Sequence, residues 1–477
     1  MKFLKHIIQK FRIMWNYRHS PLFDEKWYLE HYPKCKNDIL PPYWYYIFKG
    51  YKQGHDPSPR FSGELYWAIH YYNVNRNRCP LIHYALHDKE ENLQYYHSER
   101  KSEYILGEKN YPVIPSHCVS NKRILLICHE LSLTGAPLAL INLAETLQHE
   151  GVYVVILSLK PGPLQKELSK RNLQNKTLLL PQNCNQDGCY KAFARYASNF
   201  DAILLNTLDI IYLVEYLKGI NVQRLCWIHE GTDGFRYNPR KMFLSQYLSL
   251  YDTVCSVSNY STNILRMQAQ YHGEVQPLFY YIDDIAQETT FLSSSSVARS
   301  QKFRMVIAGT ICDRKGHGVL LQSIRYIPQN ILQDIEILIA GPRQQEELTL
   351  QIEKSHCCAF KLLGALSHDA LLQLMCTMDI LLCPSMDDPM PIVCTEAFML
   401  RKPVIVGSNT GTSQFVENNV NGYIVESGNA KALADVIIRA YKNKEHLPNM
   451  GFNARHIFEE NFTKQMFIRN IREIFHL

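Results

Sequence analysis

Asp388 and Glu396 stand eight positions apart in the segment CPSMDDPMPIVCTEAFMLRKPVIVG. The apolar run before them reads as a strand ending at Cys383. Pro389 and Pro391 keep residues 387–391 out of a helix, and Pro391 suits the start of the next one, where its missing N–H costs nothing. Asp388 is thus expected in a loop and Glu396 about one turn into a helix, with free backbone N–H groups between them. A carboxylate can chelate the paired hydroxyls of a ribose, and amides at a helix start can hold phosphate. A loop carboxylate can take the hydroxyls of a sugar. The same spacing also describes a solvated surface pair, and the flanking prolines, glycines and strands favour the binding reading.

Three other segments carry candidate groups. In GTICDRKGHG, which opens at Gly309, Arg314 and Lys315 lie beside a helix start. Two cations there can neutralise a diphosphate without a metal, although an exposed basic turn would look alike. In HELSLTGAPLALINLA, Gly135 lets the backbone approach a ligand closely, and Thr134 can donate a hydrogen bond or cap the helix. In WIHEGTDGF, His229 follows an apolar strand directly, with Glu230 beside it. A lone strand-end histidine is more often structural. No GxGxxG fingerprint occurs, which argues against a dehydrogenase.

These groups need strands and helices to place them. RILLICHE, VYVVILSL, DAILLN (201–206), RLCWIHE (224–230) and DTVCSVS (252–258) read as strands alternating with helical stretches. The helical pattern LALINLAETLQHEG ends at Gly151. The polar stretch 285–301, with SSSS at 293–296, reads as a linker. A second alternating set follows at 303–309, 334–341, 360–364, 378–385, 403–407 and 422–425. Two successive α/β sets predict two Rossmann-like domains facing a cleft. Ligands of open α/β sheets sit beyond the carboxyl ends of the strands, and the candidate residues fall in those loops.

Before them lies an internal repeat. Phe23, Tyr28, Pro42 and Tyr46 recur at Phe61, Tyr66, Pro80 and Tyr84, an offset of 38. Each copy predicts a short helical pair with an aromatic core. The expected organisation is a basic amphipathic helix at 1–20, the helical repeat module at 21–118, Rossmann-like domains at 119–285 and 286–455, and a closing helix at 456–477.

The 477 residues carry a net charge of +6, with no long Lys/Arg run, so nucleic acid is not the expected partner. The 14 cysteines show no CxxC pair and no zinc spacing, which reads as reduced thiols of a cytoplasmic protein. No run is long enough to span a bilayer. Leu4, Ile7, Ile8, Phe11 and Trp15 recur at helical spacing among Lys2, Lys5, Lys10 and Arg12. Such a helix suits an anionic membrane surface, on the inner face of the plasma membrane, or docks on its own protein.

Asp388-x7-Glu396, followed by KPVIV, NTGTSQFV and NGYIV, resembles the E-x7-E region of family 4 retaining glycosyltransferases of the GT-B fold. The resemblance implies that Glu396 binds the nucleotide ribose and Asp388 the donor sugar. Met390, Pro391 and Ile392 would belong to the same donor loop. It extends to the Gly309–Lys315 loop for the diphosphate, to the Thr134–Gly135 loop, to Asn206 in LLNT as a group ordering the cleft, and to His229 near the donor sugar. Asp388 replaces the family's usual Glu, and Gln414 stands where Glu is common. The repeats resemble those that accompany many bacterial glycosyltransferases, and suggest docking or acceptor handling. The implied activity is transfer from a nucleotide sugar, as co-substrate and without metal or other cofactor, to a glycan or lipid-linked acceptor in surface polysaccharide or glycolipid assembly. A GT-B-like binding or assembly protein, and a sugar phosphorylase or epimerase on the same fold, are the alternatives.

Overall fold

The computed structural model describes residues 15, 17–69, 79–87, 93, 97, 104–106, 111–114, 122–179, 187–287, 301–355, 357 and 359–477. The predicted amphipathic helix at 1–20 falls largely outside them, as does most of the 285–301 linker. No helix among the described residues is long and apolar enough to cross a membrane. The chain divides into two compact units. The first comprises Met1–Leu133, Leu147–Ile203 and Tyr216–Val222, and the second Thr134–Thr146, Leu204–Glu215 and Gln223–Leu477.

The first unit opens with helices α1 (Glu25–His31), α2 (Pro42–Phe48), α3 (Gly63–Ile69) and α4 (Pro80–His87). Asp24 caps α1 by accepting from Trp27 N, and Pro42 starts α2, where its missing N–H costs nothing. The repeat is geometrical as well as sequential. Tyr28 meets Tyr46 edge-on at 5.9 Å and 80°, and Tyr66 meets Tyr84 at 6.0 Å and 83°. Phe23–Tyr28 and Phe61–Tyr66 match likewise, at 5.4 and 5.5 Å. Edge-to-face rings place the positive rim of one on the negative face of the next. The first tyrosine of each pair also meets a histidine Nδ1 through its hydroxyl, Tyr28 with His55 at 2.8 Å and Tyr66 with His83 at 2.6 Å.

The strands are β1 (Tyr104–Leu106), β2 (Arg123–Cys128), β3 (Tyr153–Ser158), β4 (Gln174–Leu179), β5 (Ala202–Asn206), β6 (Gln223–Ile228), β7 (Thr253–Ser256) and β8 (Gln276–Pro277), then β9 (Phe303–Ala308), β10 (Ile335–Ala340), β11 (Phe360–Gly364), β12 (Ile380–Cys383), β13 (Val404–Gly407) and β14 (Gly422–Val425). They form two sheets, in the orders β1-β4-β3-β2-β5-β6-β7-β8 and β11-β10-β9-β12-β13-β14. The pairings in the second sheet are parallel. Strands such as β5 and β10 are buried throughout, as expected of parallel sheets covered on both faces. The fold is therefore the expected pair of Rossmann-like sheets with an aromatic-rich helical region before them.

β1, β4 and β8 were not legible as strands. β4 reads QNKTLL, with four of its six residues polar, and β8 has two residues. The helix after β2, α5 (Gly135–His149), stops where Gly151 takes φ +79, as the pattern predicts.

Candidate active site

In both sheets the strand order reverses at one point, and the predicted residues other than His229, which follows β6, lie in the segments leaving the strands there. The second sheet reverses between β9 and β12. Loops leaving two such neighbours diverge to opposite faces and open a crevice. The loop after β9 carries Gly309, Arg314 and Lys315, and the loop after β12 carries Asp388. Lys315 Nζ donates to Asp388 Oδ2 at 2.6 Å. Arg314 donates to the carbonyl of Asp387 at 2.8 Å, and Met386 N donates back to the carbonyl of Arg314 at 2.8 Å. Asp388 raises the pKa of Lys315 against the opposing effect of burial, so the ammonium stays charged. Gly316, at φ +82, turns the chain where a Cβ would lie 2.2 Å from the carbonyl of Pro384.

Asp387, which no local pattern in the sequence singles out, accepts more side-chain hydrogen bonds than Asp388. Its carboxylate accepts from Thr232 N and Asp233 N, both at 3.0 Å, and from the Tyr260 hydroxyl at 2.9 Å. It therefore ties the loop after β12 to the loop after β6. Gly231 permits this approach, since a Cβ there would sit 2.0 Å from Asp387 Oδ1. The signal available in the sequence was the doubled acid itself. Gln414, the departure from the family pattern, accepts from Asn259 N at 2.7 Å, at the start of helix α6 (Asn259–Gln268). A neutral amide oxygen suffices for that bond.

Helix α8 (Ile392–Met399) follows helix α7 (His368–Cys376) and strand β12 in the chain. Pro391 sits one residue before α8 as its N-cap, and Ile392 opens it. Ile392, Glu396 and Met399 share one helical face and line a cavity of about 640 Å³. Gly135, Asn142, Tyr280 and His368 also line it. A Cβ on Gly135 would meet nothing within 4 Å, so its backbone faces open space. Lys315, Arg314, Asp388, Asn206 and His229 are not among its walls. Asp388 lies in the loop that leads through Met390 into α8, and the carbonyl of Met390 accepts from Tyr280 at 3.3 Å. Tyr280 also meets Thr395 Oγ1 at 3.0 Å. It lies between the segments that the sequence marks as strands and the 285–301 linker.

Glu396 is buried and accepts from His368 Nε2 at 2.6 Å. That hydrogen bond raises the pKa of His368. A histidine raised in the folded state contributes stability that is full below its unfolded value of about 6.5 and is lost as pH rises through the folded value. His368→Ala is therefore expected to lower the melting temperature more at about pH 6 than at about pH 9. An equal loss at both would show that the contact carries no charge.

The first sheet reverses between β2 and β5. Asn206, at the end of β5, donates to the carbonyl of Ala136 at 3.0 Å, which joins the two loops of that switch point. Thr134 directly precedes α5. Thr207 then takes φ +91, a strained conformation for a β-branched residue. Glu230 holds this turn. Its Oε1 accepts from Leu208 N at 2.7 Å and its Oε2 from His229 N at 2.9 Å. Burial pushes its pKa up to about 8. Glu230 is thus a positioning residue, a task the sequence left unassigned. The His229 ring lies 4.5 Å from that of Trp227.

Two Rossmann-like sheets, with charged loops at the switch point of the second and a helix presenting a carboxylate to a cavity, define the GT-B class of nucleotide-sugar-binding folds. Sequence comparison agrees. Residues 289–457 match the family model for glycosyl transferases group 1, and residues 120–263 that for glycosyl-transferase family 4. The chain belongs to glycosyltransferase family 4. It is 23% identical over 184 residues to the amylovoran biosynthesis glycosyltransferase AmsK of Erwinia amylovora, covering 37% of this chain and 45% of that protein. It is 22% identical over 272 residues to N-acetyl-alpha-D-glucosaminyl L-malate synthase of Bacillus anthracis, covering 56% and 70%. The chain thus spans under half the length of the first of these relatives. Among solved structures, HepE of Anabaena in complex with UDP-glucose superposes with a TM-score of 0.62 at 18% identity, covering 75% of this chain and all of that one. The lipopolysaccharide glycosyltransferase WaaG superposes at 0.53 and 14%, covering 73% and 99%.

Proposed function

We propose that this chain transfers a hexosyl group from a nucleoside-diphosphate sugar, a UDP-sugar first among them, to a glycan or lipid-linked acceptor, with retention and without metal. The observation that carries the reading is the meeting of the two switch-point loops of the second sheet. Lys315 stands charged 2.6 Å from Asp388, next to a helix whose Glu396 faces the cavity. In the proposed reaction Glu396 takes the ribose hydroxyls and Asp388 those of the donor sugar. Arg314, Lys315 and the amides that open α8 stabilise the charge growing on the departing diphosphate. Fixed donors aimed at developing charge are worth a few kcal/mol each. The acceptor attacks on the face that the diphosphate leaves, which gives retention. His229 and Asn206 serve the sugar end, and Thr134 and Gly135 the close backbone approach. The UDP-glucose complex of HepE favours a UDP-sugar, and the part of the Erwinia relative in amylovoran biosynthesis supports a glycan product.

A thermal-shift panel of nucleoside diphosphates and nucleotide sugars tests this, on wild type and Glu396→Ala, each against its own unliganded value. A ligand at a hundredfold excess over its Kd adds about 2.7 kcal/mol. One nucleotide is expected to stabilise the wild type and to lose most of its shift in Glu396→Ala. A panel in which nothing binds the wild type would overturn the donor assignment. Loss of activity with EDTA, restored by Mg²⁺, would overturn the metal-free part.

A further inference from the structure

Helix α9 (Leu447–Asn461) packs against α8. Gly451 permits the close approach, since a Cβ there would lie 2.1 Å from the carbonyl oxygen of Arg401, just past the end of α8. One turn further along α9 stands Arg455, which is buried. Its Nη1 and Nη2 donate to the two carboxylate oxygens of Asp284 at 2.9 and 2.5 Å. Nη1 also donates to the carbonyl of Met399 at 2.9 Å, and Nε to Glu459 Oε1 at 2.7 Å. Two of these partners belong to the walls of the candidate cavity. Met399 ends α8 and shares its cavity face with Glu396. Asp284 stands between Asp283 and Ile285, which line the same cavity. Arg455 reaches both segments from behind and is not itself among the lining residues.

We infer that Arg455 is a positioning residue for donor binding. It fixes the spacing between residues 283–285 and the face of α8 that presents Glu396, and so the width of the cavity beside that carboxylate. A buried ion pair is often no better for stability than apolar residues of the same volume, so stability alone does not account for four directed bonds. The guanidinium is a planar fork whose donors have fixed directions. Bonded on three sides, it has one orientation, and it transmits that orientation to both segments. Its charge at the Met399 carbonyl also complements the negative end of the α8 dipole. Lysine keeps the charge but bonds as a single point, and cannot hold both segments at once. The inference rests on the proposed role of Glu396 toward the ribose, and adds to it a residue that touches no substrate.

Calorimetric titration of the full chain with UDP, GDP and ADP tests this, each protein being held well below its own melting temperature. Arg455→Lys is expected to weaken the nucleotide that the wild type binds by about tenfold or more. In turnover, KM for the matching nucleotide sugar should rise likewise with kcat within about threefold, because the bonds that hold Arg314, Lys315 and Asp388 are left intact. Asp284→Asn should act in the same direction, by about threefold to tenfold. Glu459→Ala removes a bond to the same guanidinium but no contact with the wall, and should leave affinity within about twofold. The decisive comparison is in the Glu396→Ala background. If Arg455 acts through Glu396, Arg455→Lys there should weaken binding by less than about a further twofold. Should Arg455→Lys not fold, Asp284→Asn carries the same comparison. Wild-type affinity in the folded variant, or an equal loss with and without Glu396, would overturn the assignment and leave Glu396 in place as a nucleotide ligand. A wild type that binds none of the three nucleotides would overturn the donor reading and this inference together.

Discussion

Lys315→Ala is expected to cut kcat/KM by about a hundredfold to a thousandfold, the usual result of removing one fixed donor from a developing charge. It should also lower stability. Asp388 is buried, and Lys315 Nζ at 2.6 Å is its charged partner. Breaking a buried pair from one side leaves an uncompensated charge, which costs about 2–3 kcal/mol where one partner keeps some contact with water. The two effects separate in the double variant Lys315→Ala/Asp388→Asn. Neutralising Asp388 removes the stranded charge and should return most of the melting temperature. It should return none of the turnover, because the ammonium remains absent. Turnover in the single variant within about threefold of wild type would remove Lys315 from the proposed mechanism. So would a double variant that regains activity along with stability.

The residues that share loops with strong strand and helix patterns were legible in the sequence. Lys315 and Asp388 follow apolar runs and precede glycine-marked or proline-marked helix starts, and Glu396 falls about one turn into α8, so local rules place them. Groups that act across the fold were not legible. Asp387 caps residues 155 and 154 positions away, and no local pattern distinguishes it from Asp388. Tyr280 bonds residues 110 and 115 positions on, from a stretch with no periodicity to mark it. Glu230 was visible as a candidate, but its task depends on a strained turn at Thr207, and φ at a threonine is not written in its neighbours. The strand order, which puts both sets of loops at switch points, is likewise a product of pairing between distant segments. The aromatic repeat is the opposite case. Its spacing in the sequence passes directly into ring geometry, because each copy folds from contacts within a few tens of residues.

Gly411→Ala is expected to damage activity as severely as any substitution of a charged group, although the residue has no chemistry. A Cβ at Gly411 would lie 1.6 Å from the carbonyl oxygen of Pro389. That atom is backbone, so no side chain can swing aside. Gly411 N donates to the carbonyl of Asp388 at 2.9 Å, and Asp388 N to that of Asn409 at 3.1 Å. The methyl group must drive these two segments apart, break the bridge between Asp388 and Thr410, and carry Asp388 away from Lys315. Forcing a methyl group into a packed contact costs about 1–3 kcal/mol. A displacement of about 1 Å at a reacting group costs about a hundredfold in rate. Gly135→Ala is the informative contrast, since its Cβ would meet open space at the first residue of a helix, where alanine is the better helix former. Its melting temperature should hold or rise. If the donor approaches that backbone as proposed, turnover or nucleotide affinity should fall without any loss of stability. A Gly411→Ala protein with wild-type kcat/KM would mean that the loop carrying Asp388 is not held in its working position by this contact. Full activity in Gly135→Ala would mean that no substrate atom comes close to α5 at its first turn.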